Sequence, residues 1–240
     1  MNDNQFLQNQ EGMDTKAAYM PGVMTGVFLW MLIGLGVSAV AAWFVVDQPV
    51  MMISLLNSVP GGFEVGFYGL IILELALVFV LSAALRKLPS VVATVMFLVY
   101  ALVNGLTLSF VLLAYDLGSV MIALACTAGM FGFMAGYGLL TKADLSGYRS
   151  FLMMGLFGII IVSIVNIFLK SSGLEWIVCL ASIFIFVGLT AYDTQKIKRL
   201  LGENPDGETA KKIKVYGALM LYLDFINIFL NLLRLLGRKR

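Results

Sequence analysis

The chain alternates long apolar runs with short polar breaks, and the runs are long enough to cross a bilayer. About 20 helical residues rise about 30 Å, which matches the hydrocarbon core. We predict seven spans, with the sixth helix continuing to Leu201 before Gly202 ends it. The spans cover residues 22–46, 65–85, 90–114, 119–140, 147–169, 174–192 and 216–237. Residues 51–64 and 203–214 are expected to be loops, residues 1–20 a polar and poorly ordered tail, and residues 238–240 a basic C-terminal end.

The last apolar run carries a polar stripe. Asp224, Asn227, Asn231 and Arg234 follow one another at steps of three or four residues, which places them on one face of a helix. An ionisable group at the bilayer centre costs about 2.5 kcal/mol or more, so this face is not expected to meet lipid. We therefore predict a seven-helix bundle in which the last helix is central and the other six surround it.

Composition excludes several classes of protein. Hydrophobic residues make up 60% of the chain, charged residues make up 12%, and the mean hydropathy is +0.95, which is typical of an all-α polytopic membrane protein. Residues 21–237 form its single transmembrane domain. The chain has no histidine, which excludes histidine-based metal ligands, catalytic triads and proton relays. We expect neither an enzyme nor a cofactor-binding protein, and no nucleic-acid partner.

Basic residues predict the orientation. The N-terminal tail and the loops after spans 2, 4 and 6 carry most of the lysines and arginines, whereas the opposite loops carry only Lys170. Because cytoplasmic loops are enriched in these residues, the N-terminus and the loop between spans 6 and 7 are expected to be cytoplasmic. Seven full crossings place the basic residues 238–240 outside, whereas a re-entrant last segment would return them to the cytoplasm. The length of the run favours seven crossings.

Asp193 and Asp224 are the leading candidates for chemistry. Each lies eight or nine residues from the cytoplasmic end of its helix, which is about 12 to 14 Å, so the two carboxylates are expected to be level. Two carboxylates held close in a poorly solvated place do not ionise together easily, so they would share a proton and sense pH. Ionised, they offer the oxygen ligands that Ca²⁺ prefers, with Asn227 as a possible supplement. In the alternative interpretation, Asp193 ends its helix in water and Asp224 is satisfied by an asparagine or arginine.

Two further charges have competing interpretations. Glu74 lies in the middle of span 2 and is a candidate for the pathway of an ion. Arg86, near the end of that span, could form a latch with Asp193 that weakens as the carboxylate protonates. Alternatively, Arg86 and Lys87 anchor the helix by reaching the lipid headgroups.

Small residues within the spans are expected to serve packing. Gly129, Gly132 and Gly136 include a GxxxG spacing, for which packing inside the bundle is favoured over a dimer interface. Cys126 and Cys179 lie within apolar runs and are expected to pack as free thiols instead of forming a disulfide.

Two segments carry a family resemblance. Residues 191–197, AYDTQKI, and residues 221–227, LYLDFIN, with Leu232-Leu233-Arg234 following, resemble the signature segments of the Bax inhibitor-1 family in its bacterial branch. The resemblance implies a seven-helix bundle with a central last helix in a bacterial inner membrane. It also implies a pH-sensitive calcium leak gated by an aspartate pair, which matches Asp193 and Asp224, and a latch arginine, which is matched to Arg86.

The leading hypothesis for function is a passive, proton-gated calcium leak. Asp193 and Asp224 would form the gate, and Glu74, Asn227 and Asn231 would line the pathway. Calcium ions, protons and the lipid bilayer would be its partners, with calcium permeant or weakly bound. The alternative is a membrane-embedded regulatory protein that binds a membrane protease or another membrane complex.

Overall fold

The computed structural model describes residues 3–84, 88–202 and 207–239, with side chains for residues 22–81, 88–202 and 207–239. A short 3-10 turn, Leu145–Tyr148, precedes the sixth helix. The helices are α1 (Asp3–Asp47), α2 (Pro49–Asn57), α3 (Gly62–Ala84), α4 (Ser90–Ala114), α5 (Leu117–Leu140), α6 (Arg149–Leu169), α7 (Ser172–Gly202) and α8 (Gly207–Leu236). Within these described ranges, the seven helices other than α2 are long and apolar enough to cross a membrane. The predicted all-α polytopic class is confirmed.

The helices extend beyond the predicted spans at three places. α1 begins at Asp3, so the backbone of the segment predicted to be a poorly ordered tail is helical. α2 occupies part of the predicted loop 51–64, because Pro49 presets the first turn and an apolar run follows it. α8 begins at Gly207 instead of Tyr216, since Glu, Ala and Lys are strong helix formers that continue the helix into the headgroup region. Residues 203–206 of the second predicted loop lie outside the described residues.

α8 is the central helix, as the polar stripe predicted. Across its most apolar 18 residues 61% of the side chains are buried, against 6% for α6. It packs against α1, α4, α5 and α7. Leu221, Tyr222, Ile228 and Leu233 on α8 are all completely buried, whereas α3 and α6 lie at the periphery. The chain therefore uses its most polar span as the core, because only the interior of the bundle offers polar partners.

Two close helix crossings use glycine. A Cβ on Gly105 would lie 2.4 Å from the carbonyl oxygen of Ser38, and a Cβ on Gly138 would lie 2.4 Å from that of Ala191. These positions bring α4 against α1 and α5 against α7, because only a residue without a side chain permits such an approach. The second crossing lies two residues from Asp193.

The predicted packing role of the GxxxG glycines is wrong. A Cβ added to Gly129, Gly132 or Gly136 would meet no atom within 4 Å, so these glycines face outward and contact no other helix in the described bundle. The inner face of α5 instead presents Gly138, which is two residues further along the helix and so lies about 200° around it from Gly136. The two cysteines are free thiols, as predicted, but Cys126 is exposed and only Cys179 is buried.

The C-terminus lies at the end of the bundle opposite the loop between α7 and α8. The backbone N–H of Arg238 donates to Ser119 Oγ over 3.0 Å, and the N–H of Asp116 donates to the Arg238 carbonyl over 3.1 Å. At the other end, which we call the basic end, the N–H of Ser90 donates to Glu208 Oε1 over 2.7 Å. α8 therefore traverses the whole bundle, which favours the seven-crossing interpretation over a re-entrant last segment.

Candidate functional site

Asp193 on α7 and Asp224 on α8 face one another inside the bundle. They are 7% and 4% exposed, and their carboxylates interact electrostatically. The helices are in close contact on the basic side of this pair, where a Cβ on Gly217 would lie 2.9 Å from Ile197 Cδ1. The structure thus brings together the two aspartates that the sequence singled out, and it does not place Asp193 in water.

One oxygen of this pair lacks a partner. Asp224 Oδ2 and Thr194 Oγ1 are buried and make no hydrogen bond within the described part of the chain. A buried polar group left unsatisfied costs about 1 to 3 kcal/mol, so a proton or a cation that reaches Asp224 would be stabilised there. Asp224 Oδ2 is therefore an acceptor that a proton or a small cation could occupy.

Within the described part of the chain, Lys196 is the cation that interacts electrostatically with Asp193. It follows Asp193 by three residues, so it lies about one turn nearer the basic end. Its Nζ sits 5.5 Å from the centre of the Tyr216 ring and 4.0 Å from Met220 Sδ, both on α8. The sequence marks Lys196 only as one of several basic residues after span 6. Its spacing of three residues from Asp193 is the signal that could have placed the two side chains together.

The two asparagines of the stripe are satisfied by their own helix. Asn227 Nδ2 donates to the Leu223 carbonyl and Asn231 Nδ2 donates to the Asn227 carbonyl, both over 2.8 Å. This polar face therefore needs no partner helix to satisfy its amide donors. It leads from Asp224 towards the C-terminal end of the bundle.

The stripe ends in a polar groove between α6, α7 and α8. Arg234 is exposed there and lines a cavity of about 540 Å³ together with Asn166, Lys170, Glu175 and Cys179. The guanidinium of Arg234 lies beside the Cys179 thiol. Asp224, the two asparagines and this groove thus follow one another along a single face of α8, and Asp193 faces the first of them from α7.

Glu74 does not join the aspartate pair. It lies on α3, where its carboxylate accepts a hydrogen bond from Asn104 Nδ2 on α4 and also contacts the Tyr100 hydroxyl. Asn104 Oδ1 in turn accepts from the Tyr222 hydroxyl over 2.7 Å. Glu74 is therefore held on the α3–α4 side of the central helix.

The network continues from Tyr222 to α1. The hydroxyls of Tyr222 and Ser38 are 2.6 Å apart, and Ser38 Oγ donates to the Ala101 carbonyl over 2.6 Å. Four helices are joined in this way by buried hydrogen bonds. Glu74 could be found from the sequence, but its partners Tyr100, Tyr222 and Ser38 were missed, because their proximity depends on which faces of the four helices meet.

The segment after Asp193 is tied to the loop between α5 and α6. Gln195 Oε1 accepts from the N–H of Leu145 over 2.9 Å, and Gln195 Nε2 donates to the Ala143 carbonyl over 2.7 Å. Arg199 pairs with Asp144 over 2.7 Å. The hydrogen bonds from Arg199 and from the Ser146 N–H lower the pKa of Asp144 to about 2. The predicted latch residue, Arg86, lies outside the described residues.

Calcium would meet few ligands at the aspartate pair. Among the described residues no group of three or more Cys, Asp or Glu side chains could hold a metal ion. Ca²⁺ takes six to eight oxygen ligands, and two carboxylates provide four at most. The two carboxylates alone therefore do not complete the coordination of a Ca²⁺ ion.

Comparison with known proteins gives the family. The profile described as "Inhibitor of apoptosis-promoting Bax1" matches residues 20–240. The chain is 45% identical to the inner membrane protein YbhL of Escherichia coli K12 over 220 residues, which are 90% of this chain and 92% of YbhL. It is 42% identical to a protein of Borreliella burgdorferi over 216 residues, which are 89% of this chain and 90% of that protein. It is 38% identical to a protein of Deinococcus radiodurans over 218 residues, or 90% of each. The chain therefore belongs to the Bax inhibitor-1 family.

Proposed function

We propose that this protein is a pH-sensitive, passive cation leak, with calcium as its main permeant ion and Asp193 and Asp224 as its gate. One observation carries the proposal: two buried carboxylates face one another on α7 and α8, and Asp224 Oδ2 has no hydrogen-bond partner among the described residues. An intramembrane carboxylate without a structural partner is a candidate for ion or proton handling.

The gate would respond to the number of protons on the pair. Two ionised carboxylates at this depth repel one another strongly, whereas a shared proton removes most of that repulsion. Since the carboxylates sit on different helices, each protonation step changes the force between α7 and α8. The close contact between Gly217 and Ile197 is the barrier that this force would act on.

The pathway would run along the polar face of α8. From the pair, Asn227 and Asn231 lead to the groove at the C-terminal end, where Glu175 offers a carboxylate to a cation. Glu74 would act on this path only indirectly, through Asn104 and Tyr222. No cofactor and no catalytic reaction are needed for this activity.

We place the protein in a bacterial inner membrane with its basic end in the cytoplasm. The excess of lysine and arginine on the loops of that end supports this orientation. The location is supported by the similarity to YbhL, which is described as an inner membrane protein. The groove lined by Arg234 would then open on the opposite side.

Calcium flux into liposomes tests the proposal. Purified protein is reconstituted in liposomes that contain a calcium dye, and Ca²⁺ entry is recorded from roughly pH 6 to pH 8. We expect wild-type flux to depend on pH and Asp193→Asn or Asp224→Asn to remove that dependence. Asp47→Asn, at an exposed position at the end of α1, is the matched control and should behave as wild type. Flux no greater than that of empty liposomes would refute the leak.

A second candidate function is regulation of another membrane protein, such as a membrane protease. The outward-facing glycines of α5 favour it, because they would let a partner helix approach closely. This function should survive replacement of both aspartates by asparagine, whereas the leak should not. A crosslinking experiment in native membranes with the doubly substituted protein distinguishes the two.

A further inference from the structure

A groove at the basic end combines cationic, hydroxyl and apolar groups. It encloses about 420 Å³ between α1, α4 and α8 and is independent of the aspartate pair. Lys211 and Lys214 of α8 line it, together with Trp30 of α1 and Ser90 and Thr94 of α4. The groove has a polar end and an apolar end. Ser90, the first residue of α4, lies at the polar end, whereas Trp30 lies well inside the apolar part of α1.

The groove is open to the membrane on one side. Val91 and Val95 of α4 line it and are 71% and 54% exposed, so its apolar wall continues onto the lipid-facing surface of the bundle. The stem of Lys214 lies against α1, where a Cβ on Gly26 would be 3.2 Å from its Cδ. Lys214 is therefore held along the wall of the groove, with its ammonium group at the level of the headgroups.

Among the described residues, the lining of the groove contains two lysines and no carboxylate. Glu208 interacts electrostatically with Lys212 and Lys211, and both of its oxygens accept hydrogen bonds from Ser90, over 2.7 Å to Oε1 and 3.0 Å to Oε2. This carboxylate is therefore already engaged by Ser90, and Lys211 and Lys214 are the two charged side chains of the described lining. An anion that enters the groove would be attracted by both of these ammonium groups.

We propose that this groove binds the headgroup of an anionic phospholipid. The phosphate would lie between Lys211 and Lys214, and the acyl chains would follow Val91, Val95 and Trp30 into the bilayer. The charge of the groove, its lateral opening and its apolar depth match a molecule that is anionic at one end and apolar at the other. Basic pockets between helices on the cytoplasmic side are typical sites for such lipids.

Fluorescence of Trp30 provides a direct test. Trp43 and Trp176 are 68% and 55% exposed, so Trp43→Phe and Trp176→Phe leave Trp30 as the single tryptophan with little disturbance of the core. This protein is reconstituted in phosphatidylcholine vesicles that contain brominated phosphatidylglycerol or, at the same mole fraction, brominated phosphatidylcholine. Because bromine quenches a tryptophan that it contacts, we expect an apparent affinity for phosphatidylglycerol roughly tenfold above that for phosphatidylcholine.

Matched variants distinguish lipid binding in this groove from a general attraction of anionic lipids to basic residues at this end. Lys211→Gln with Lys214→Gln should reduce the preference to about onefold, and Lys214→Arg should retain it. Lys142→Gln with Arg149→Gln removes the same charge from exposed positions of the same end outside the groove and should leave the preference unchanged. Equal quenching by the two lipids, or equal losses in both double variants, would overturn the proposal. Displacement by millimolar inorganic phosphate would also overturn it, because the groove would then bind a free anion.

Discussion

The hydroxyl of Tyr222 donates a 2.7 Å hydrogen bond to Asn104 Oδ1. Tyr222 lies two residues before Asp224 on α8. Two residues rotate a helix by about 200°, so α8 presents Tyr222 to α1 and α4 and presents Asp224 to α7. The central helix therefore carries two polar sites on opposite faces. The hydrogen bonds of Tyr222 hold α8 against α1 and α4, whereas the aspartate pair lies between α8 and α7.

Removing the Tyr222 hydroxyl should destabilise the bundle. In Tyr222→Phe, Asn104 loses the donor to its Oδ1 and Ser38 loses one partner, with a cost of about 1 to 2 kcal/mol. We expect a lower thermal unfolding temperature in detergent. Tyr68→Phe, at a position that is 62% exposed, is the control and should unfold with the wild type. Equal unfolding temperatures for Tyr222→Phe and the wild type would show that the network contributes nothing.

The crossing of α5 and α7 should be sensitive to a single methyl group. In Gly138→Ala the new Cβ would lie 2.4 Å from the Ala191 carbonyl oxygen, so α7 must shift next to Asp193. Such overpacking costs about 1 to 3 kcal/mol. We expect a lower unfolding temperature and an altered pH dependence of calcium entry.

The same helix supplies a control for this prediction. Gly136→Ala meets no atom within 4 Å, so it should leave both measurements unchanged. If Gly136→Ala were as damaging as Gly138→Ala, the helix propensity or backbone of α5, and not its contact with α7, would be the cause.

Acid should release the loop between α5 and α6. The hydrogen bond from Arg199 lowers the pKa of Asp144 to about 2, from an ordinary value near 3.8. A lowered pKa means that docking is favoured above about pH 4 and is lost as the pH falls through about 2. A nitroxide label at Gly147→Cys, in a protein without Cys126 and Cys179, should gain mobility over that range. Asp144→Asn should be mobile already at pH 5, and a label that is equally immobile in both proteins would contradict this prediction.

The two ends of the bundle should be accessible from opposite sides of the membrane. The contacts of Arg238 with Asp116 and Ser119 place the C-terminus opposite the loop that carries Lys142. Single cysteines at Lys142→Cys and Lys239→Cys, without the two native cysteines, should therefore react with an impermeant thiol reagent from opposite sides. Reaction of both from the same side would restore the re-entrant alternative.

Much of the architecture could be predicted from the pattern of residues. The spans follow from hydropathy and length, since a bilayer imposes one helical solution on an apolar run of this size. The central position of α8 follows from its polar stripe, because an ionisable group such as Asp224 is costly to expose to lipid. The pairing of Asp193 with Asp224 follows from their equal depth. The sequence by itself thus determined the class, the central helix and the candidate pair.

Only the tertiary structure decided which faces meet. Hydropathy does not distinguish Gly136 from Gly138, yet one faces outward and the other permits the contact with Ala191. It also does not show that Glu74 joins Asn104 and Tyr222 instead of the aspartates. In a membrane every helix is apolar around most of its circumference, so the pattern that orients a helix in a soluble protein is weak. The rotation of each helix is set by close packing and hydrogen bonds with its neighbours, and these exist only once the bundle has assembled.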